Sequence, residues 1–277
     1  MTRRFSILSL PSLEEFSRKV YRRLVRYELW LEYQLRRPQP DKQLQEDAQQ
    51  FWNQGGELLN QYAHWRGAGV FSDEERWRAL GRQHLERYLE FARMVGRTAP
   101  LRRIVEWGTG GGAMAVQFAP LAQEYVGVDI TAESLAECSR QLSQAGYTHF
   151  VPTLISALHP EEALSKVPGP CDLFLCIHVF EILPTPEYGL RLLSIARDLL
   201  APGGMAMIQI RYVGQSWDSR PKRFGYKRFL ASMTSYRIEE FWAEAERCGL
   251  KPRAVSLMPW QPLIENGNYA YFFLTKE

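Results

Sequence analysis

Glu106, Asp129, His178 and Glu181 are the side chains whose types and spacing could do chemistry together in this sequence. Glu106 stands two residues before Gly108 in VEWGTGGGAMAV, where Gly108, Gly110, Gly111 and Gly112 fill four of five positions. Glycines tolerate positive φ and remove the Cβ atoms that would hold a ligand away from the backbone. A glycine turn between a strand and a helix also presents free backbone N–H groups. Asp129, in GVDI, follows at the interval where a carboxylate closing the next strand accepts both hydrogen bonds of a ribose diol. Gly108, Gly110 and Ala113 also satisfy the weak dinucleotide pattern G-x-G-x-x-[GA]. Glu106 weighs against that ligand: its charge would repel a pyrophosphate, yet it suits a molecule carrying an ammonium and a sulfonium.

Transfer of a group to a hydroxyl needs a base near the hydroxyl proton. His178, closing the apolar run CDLFLCIHVF, is the leading candidate. Glu181 in VFEIL is a base or a substrate anchor. His64 in YAHWRGAG is the third, reached if an N-terminal helical segment folds over the site. A packed core histidine and a structural glutamate are the competing readings. Further on, RYVGQSWDSRPKRFGYKRF carries Arg211, Arg220, Lys222, Arg223, Lys227 and Arg228 against Asp218 alone. With Tyr212 and Trp217, Arg211, Arg220 and Arg223 form the expected acceptor-binding lid, suited to phosphate, carboxylate or sugar character. A solvated basic loop is the alternative.

These residues need elements to hold them. From Pro11 to Arg37 the apolar positions Leu13, Phe16, Val20, Leu24, Tyr27, Leu31 and Leu35 recur at helical intervals. The opposite face is arginine-rich: residues 1–40 hold nine Lys/Arg against four Glu. A solvated face, a membrane surface or acidic partner, and a homodimer interface are its three readings. Residues 42–65 read as a second helix, and Ser72 with Glu75 as a capping box opening a third to Val95. From Arg103 strands alternate with helices: RRIVEW, EYVGVDI, HFVPTLI, CDLFLCIHVF and MAMIQIRY are strands, and PRAVSLM and NYAYFFLTK are two late ones. Alternation of this kind implies right-handed crossovers and a mainly parallel sheet. The expected organisation is a helical region over 1–98 and an α/β domain over 99–277.

Over residues 100–277 the chain resembles the class I S-adenosylmethionine-dependent methyltransferases. The resemblance is carried by VEWGTGGG, by Asp129 closing the second strand, by CDLFLCIHVFEILP, by LLAPGG before the fifth strand, and by YRIEEFWAEAERCGLKP. It implies a Rossmann-like α/β fold with a seven-stranded, mostly parallel sheet, helices on both faces, and S-adenosylmethionine across the strand ends. Carried over, Glu106 orients the methionine end of the cofactor, Gly108, Thr109, Gly110 and Gly112 pass beneath it, Asp129 holds the ribose and Ile130 meets the adenine. Ser156 is the polar residue where the family often has an acid near the adenine amino group, with Ala157 and Ile177 beside it. Trp107 is bulkier than usual there, reading as core packing or a cofactor contact.

The resemblance implies methyl transfer, with O-methylation of a small-molecule acceptor of sugar, nucleotide-linked or natural-product type as the expectation. Methylation of nitrogen or carbon, or of RNA, an NAD(P)-binding oxidoreductase, and a non-catalytic scaffold subunit stand beside it. The strand-four exit reads IHVFEIL, not the [DNS]-P-P-[FYW] slot of base-amino methyltransferases. A net charge of +3 is too small to argue for nucleic acid, and no clustered aromatic platform accompanies it. No Asp/His cluster has metal-site spacing, so a metal-independent enzyme is expected. The scattered cysteines Cys138, Cys171, Cys176 and Cys248 fit reduced thiols in the cytoplasm. The stretch MTRRFSILSLPSLEEF is too short in apolar residues, and too soon acidic, for a secretion signal, and no run reaches membrane-span length.

Overall fold

The computed structural model describes residues 13–277, and the leader-like stretch weighed above falls largely outside them. Compactness divides the chain into two units at Pro38/Gln39. The first contains one described element, helix α1 (Leu13–Leu35). Its apolar row Val20, Leu24, Tyr27, Leu31 and Leu35 is exposed. Among the described residues no helix is long and apolar enough to cross a membrane.

The second unit, Gln39–Glu277, begins with α2 (Asp41–Trp52), α3 (Glu57–Tyr62) and α4 (Glu74–Met94). The single helix expected over 42–65 is broken at Gly55 and Gly56, whose φ values of 65° and 102° a right-handed helix does not contain. The expected capping box is also displaced. Ser72 is absorbed in a 3-10 turn anchored by fully buried Phe71, and Asp73 caps α4 by accepting from the backbone N–H groups of Glu75 and Arg76.

The alternating part supplies β1 (Leu101–Trp107), α5 (Ala115–Phe118), β2 (Ala122–Asp129), α6 (Ala132–Gln144), β3 (Phe150–Leu154), α7 (Ala163–Lys166), β4 (Cys171–Cys176), α8 (Pro186–Leu199), β5 (Leu200–Arg211), α9 (Tyr226–Phe229), α10 (Ile238–Arg247), β6 (Leu250–Gln261) and β7 (Asn266–Lys276). The seven strands form one sheet in the order β3-β2-β1-β4-β5-β7-β6. β1 to β5 pair in parallel, and β7 runs antiparallel to both β5 and β6. The seven-stranded, mostly parallel sheet is the one the sequence implies. Two boundaries differ. The LLAPGG turn lies inside β5, at a register shift against Cys171 and Leu173, and β4 stops at Cys176, four residues before the apolar run ends.

Strand residues alternate between two cores. Val105, Trp107, Phe174 and Cys176 face α8 and α10, packing with Leu192, Ile195 and Phe241. Ile104, Tyr125, Leu173 and Leu175 face α4, α5 and α6, packing with Trp77, Leu80, Phe91 and Phe118. α4 is therefore one of the helices that cover the sheet. It approaches so closely that a Cβ on Gly81 would collide with the carbonyl oxygen of Ala113. Strand order reverses between β1 and β4, which opens a crevice at their carboxyl ends.

Gly81→Ala decides between two opposed effects. Alanine is worth about 1 kcal/mol more than glycine inside a helix, whereas crowding a packed interface costs about 1–3 kcal/mol. The oxygen in the way is backbone and has nowhere to rotate, so the variant is expected to unfold at a lower urea midpoint with an unchanged slope.

Candidate active site

A cleft opens at this reversal, with about 960 Å3 of empty space when the open solvent at its mouth is included. The end of β1 contributes Glu106, Trp107, Gly108, Thr109 and Gly110 to its wall, and the end of β2 contributes Asp129 and Ile130. Ile155 and Ala157 come from the β3 exit, and Ile177 and His178 from the β4 exit.

Asp129 is almost wholly buried and already oriented. One oxygen accepts from the backbone N–H and hydroxyl of Thr131, at 3.0 and 3.1 Å, and the other from the N–H of Gly110 at 3.1 Å. Burial raises its pKa, and the bonds from Thr131 and Gly110 oppose that rise. Glu106 is 2 % exposed and accepts from the Tyr125 hydroxyl at 2.7 Å. Burial pushes its carboxyl up to about 8, against the bond from Tyr125 and with a further push from Asp129. Such a group is protonated at neutral pH until a cation arrives, and a bound ammonium would restore its charge.

The glycine turn serves more than a ligand. Gly108 and Gly110 line the cleft, but Gly112, expected beneath the cofactor, does not: its N–H donates to Thr109 and its bare Cα packs on Cys138 of α6. The N–H of Gly111 donates to the Ala63 carbonyl at 2.7 Å, and a Cβ on Gly110 or Gly111 would collide with residues 63–65. The connection after α3 thus lies on the turn itself. It carries His64 into the cleft, with its carbonyl held by the Trp77 indole N–H at 2.8 Å.

His64 and His178 face each other with ring centroids 5.0 Å apart, and both residues have left-handed backbones, φ 55° and 60°. Positive φ is uncommon outside glycine and clusters at functional sites. At His178 this kink ends β4. Its Nδ1 lies 3.3 Å from Glu181 Oε1 and 3.1 Å from Gln209 Nε2. Burial pulls His178 down to about 3, and burial with His178 nearby pulls His64 to about 3. Burial pushes Glu181 up to about 7. The contact between His178 and Glu181 is therefore a hydrogen bond between neutral groups through the acid range, not an ion pair. Glu181 itself stands behind His178, outside the lining.

The expected basic lid is elsewhere. Among the described residues, Arg211, Tyr212, Trp217, Arg220 and Arg223 do not line the cleft. Arg211 is buried with Nη1 on Asn266, and Tyr212 bridges to Tyr236. Trp217 is stacked by the Lys222 ammonium, and Arg220 is exposed. Arg223 pairs with Asp41 and Glu187. Arg223 and Lys222 thus meet acids and carbonyls of the chain. Ser156 is likewise off the lining, its Oγ accepting from the Leu158 N–H, while the Ala157 N–H donates to Gln49 of α2. The far wall is made of residues that the sequence marks only as apolar or aromatic: Trp52, Tyr62, Ile182, Leu183, Tyr188 and Tyr226. The Tyr226 hydroxyl accepts from the Trp52 indole at 2.9 Å and donates to the Ile182 carbonyl at 2.6 Å.

Fold and cleft resemble those of the class I S-adenosylmethionine-dependent methyltransferases. Residues 105–206 match the family model described as a methyltransferase domain. Among curated relatives, the ubiquinone biosynthesis O-methyltransferase of Burkholderia thailandensis is 27% identical over 105 residues, 38% of this chain and 42% of the relative. The aligned segment thus spans about two fifths of that relative's length. The protein of the same name from Bordetella avium is 25% identical over 191 residues, 64% of this chain and 73% of the relative. Among solved structures, the N-methyltransferase NodS of Bradyrhizobium japonicum in complex with S-adenosyl-L-homocysteine superposes with a TM-score of 0.51 at 14% identity, covering 69% of this chain and 86% of that one. TehB from Haemophilus influenzae gives 0.50 at 13% identity, covering 68% and 61%.

The residues present fit S-adenosylmethionine: a buried carboxyl at Glu106 for a cationic end, an oriented carboxylate at Asp129 for a diol, and apolar Ile130, Ile155 and Ala157 for a base. Because Glu106 holds a proton up to about 8, cation binding below that pH must expel it. Affinity for S-adenosylmethionine is expected to rise with pH and level off above about 8, and Glu106→Gln should flatten the rise. Calorimetry in buffers of different ionisation enthalpy reads the released proton directly.

Proposed function

We propose that this chain transfers the methyl group of S-adenosylmethionine to a hydroxyl of a small aromatic or apolar acceptor. The observation that carries this reading is the far wall of the cleft, where Trp52, Tyr62, Tyr188 and Tyr226 stand with Ile182 and Leu183 and no charged side chain. Aromatic walls bury a flat apolar ring well and give a phosphate or carboxylate nothing to pair with. An apolar acceptor therefore replaces the anionic or sugar-bearing one that the basic segment suggests. Oxygen as the accepting atom is supported by the imidazoles of His64 and His178 in the lining, and by the O-methyltransferase names of the relatives.

The cofactor supplies an electrophilic methyl on a good leaving group, and the protein's share is to align the reactants and take the proton. Glu106 and Asp129 hold the donor, with the Gly108–Gly110 backbone beneath it. The hydroxyl proton leaves to the imidazole cluster of His64 and His178, with Glu181 hydrogen-bonded to His178 from outside the lining. The helical residues 39–98 act as a cap on this site, supported by Ala48, Trp52, Tyr62, Ala63 and His64 in its lining. Four free cysteines suit action in the cytoplasm.

The test is a panel of phenols, sugar phosphates, nucleotides and amines offered with labelled S-adenosylmethionine. Phenolic or other apolar hydroxyl acceptors should be methylated, and exclusive labelling of amines or phosphorylated sugars would overturn the acceptor class. NADH should not bind, since the Gly111 N–H that a pyrophosphate on this turn would use is already held by the Ala63 carbonyl. Asp129→Ala should abolish donor binding in calorimetry. Charge reversal at exposed Arg220 should leave the acceptor KM unchanged, and a large rise would return that arginine to the site.

A further inference from the structure

The amide of Gln209 is oriented by an unambiguous donor. Its Oε1 accepts the backbone N–H of His178 at 3.2 Å, and a backbone N–H has no other role to play. The Nε2 of the same amide must therefore be the NH2 end, and it stands 3.1 Å from His178 Nδ1. Glu181, whose carboxyl burial keeps protonated through the acid range, stands 3.3 Å from the same nitrogen and is likewise a donor to it there. Nδ1 is therefore the acceptor, and the neutral imidazole carries its proton on Nε2. Gln209 is fully buried on β5, and the side chain of His178 is 5 % exposed. Among the described residues no hydrogen-bond partner meets His178 Nε2, although the residue lines the cleft. In this state His178 holds a buried, unpartnered N–H beside the cleft and has no lone pair there with which to take a proton.

The facing imidazole is free of such a clamp. His64 lines the same cleft, and its placement is fixed through backbone: the Ala63 carbonyl on the Gly111 N–H, its own carbonyl on Trp77, and Phe71 edge-on to its ring at 5.2 Å. We propose that His64 is the group that takes the acceptor's proton, and that His178, its tautomer set by Gln209, is the donor that orients the acceptor oxygen. This rests on the methyl-transfer reading above. As the acceptor oxygen forms its bond to the methyl carbon, the C–S electron pair stays on sulfur, and the hydroxyl proton passes to a ring nitrogen of His64. Gln209 is then a positioning residue, acting only through His178. The glycine turn gains a second duty, because its missing side chains admit the segment that brings the base.

The test begins with the wild-type chain and nitrogen-resolved NMR of its histidine rings. His178 should show a protonated Nε2 and an unprotonated Nδ1, and Gln209→Leu should mix the two tautomers. A protonated Nδ1 in the wild type would overturn the assignment whatever the activity. In turnover with a phenolic acceptor, His64→Asn should lower kcat by about 10²-fold or more, the scale of general base catalysis, with S-adenosylmethionine affinity unchanged. His178→Asn, which keeps an N–H donor, should retain much more activity than His178→Leu. Equal losses in those two variants, or full activity in His64→Asn, would overturn the proposal. Donor affinity and the urea midpoint of each variant identify any that merely unfolds. If the wild type binds no S-adenosylmethionine, the functional reading falls with it; if the wild type turns over and His64→Asn does too, only this proposal falls.

Discussion

The contact on which the site depends is the hydrogen bond from the Gly111 N–H to the Ala63 carbonyl, made across backbone with no side chain between. It seats residues 63–65 directly on the turn that follows β1. Through that seat α2 and α3 bring Trp52, Tyr62 and His64 to the cleft. A side chain at Gly110 or Gly111 would force the segment off, since the atoms it would meet are mostly backbone. The same bare stretch of chain therefore answers to two neighbours, one on each side. Trp77 of α4 reinforces the seat from below by holding the His64 carbonyl.

Desolvation governs the electrostatics of what is assembled there. Glu106, Asp129 and Glu181 all bind protons more tightly than in water, and His64, His84 and His178 bind them less tightly. An array of acids and imidazoles at this density would be costly to charge, and burial lets it remain close to neutral. The arrangement suits a ligand that carries positive charge in and leaves it behind on transfer. It also explains why His84, fully buried, is satisfied by neutral partners, the Leu80 carbonyl at 2.7 Å and the Tyr271 hydroxyl at 3.0 Å.

The basic segment between β5 and α10 has a different fate from the one its composition suggests. Arg223 spans Asp41 and Glu187, the Gly225 N–H donates to Gln39, and the Lys222 ammonium is wrapped by the carbonyls of Trp217, Asp218 and Arg220. These contacts tie the segment to the start of α2 and to α8. What it lends the cleft is the ring of Tyr226, fixed by hydrogen bonds at both sides of its hydroxyl. A positive stretch of sequence thus became a structural clasp, and its aromatic residue became the lining.

Much of this was legible from one dimension. Strand–helix alternation, the glycine turn and the interval to Asp129 are local patterns, and local backbone chemistry dictates the element each one forms. They led to the seven-stranded sheet and to most of the donor half of the cleft, with Glu106, Gly108, Gly110, Asp129 and Ile130 on its wall. Folding in three dimensions decided the remainder. Which residues face Asp129 from afar, whether Arg223 finds a ligand or Asp41, and on which nitrogen His178 keeps its proton are set by groups distant in the chain. Burial and pairing at those places are properties of neighbours, and a sequence names residues without saying which of them become neighbours.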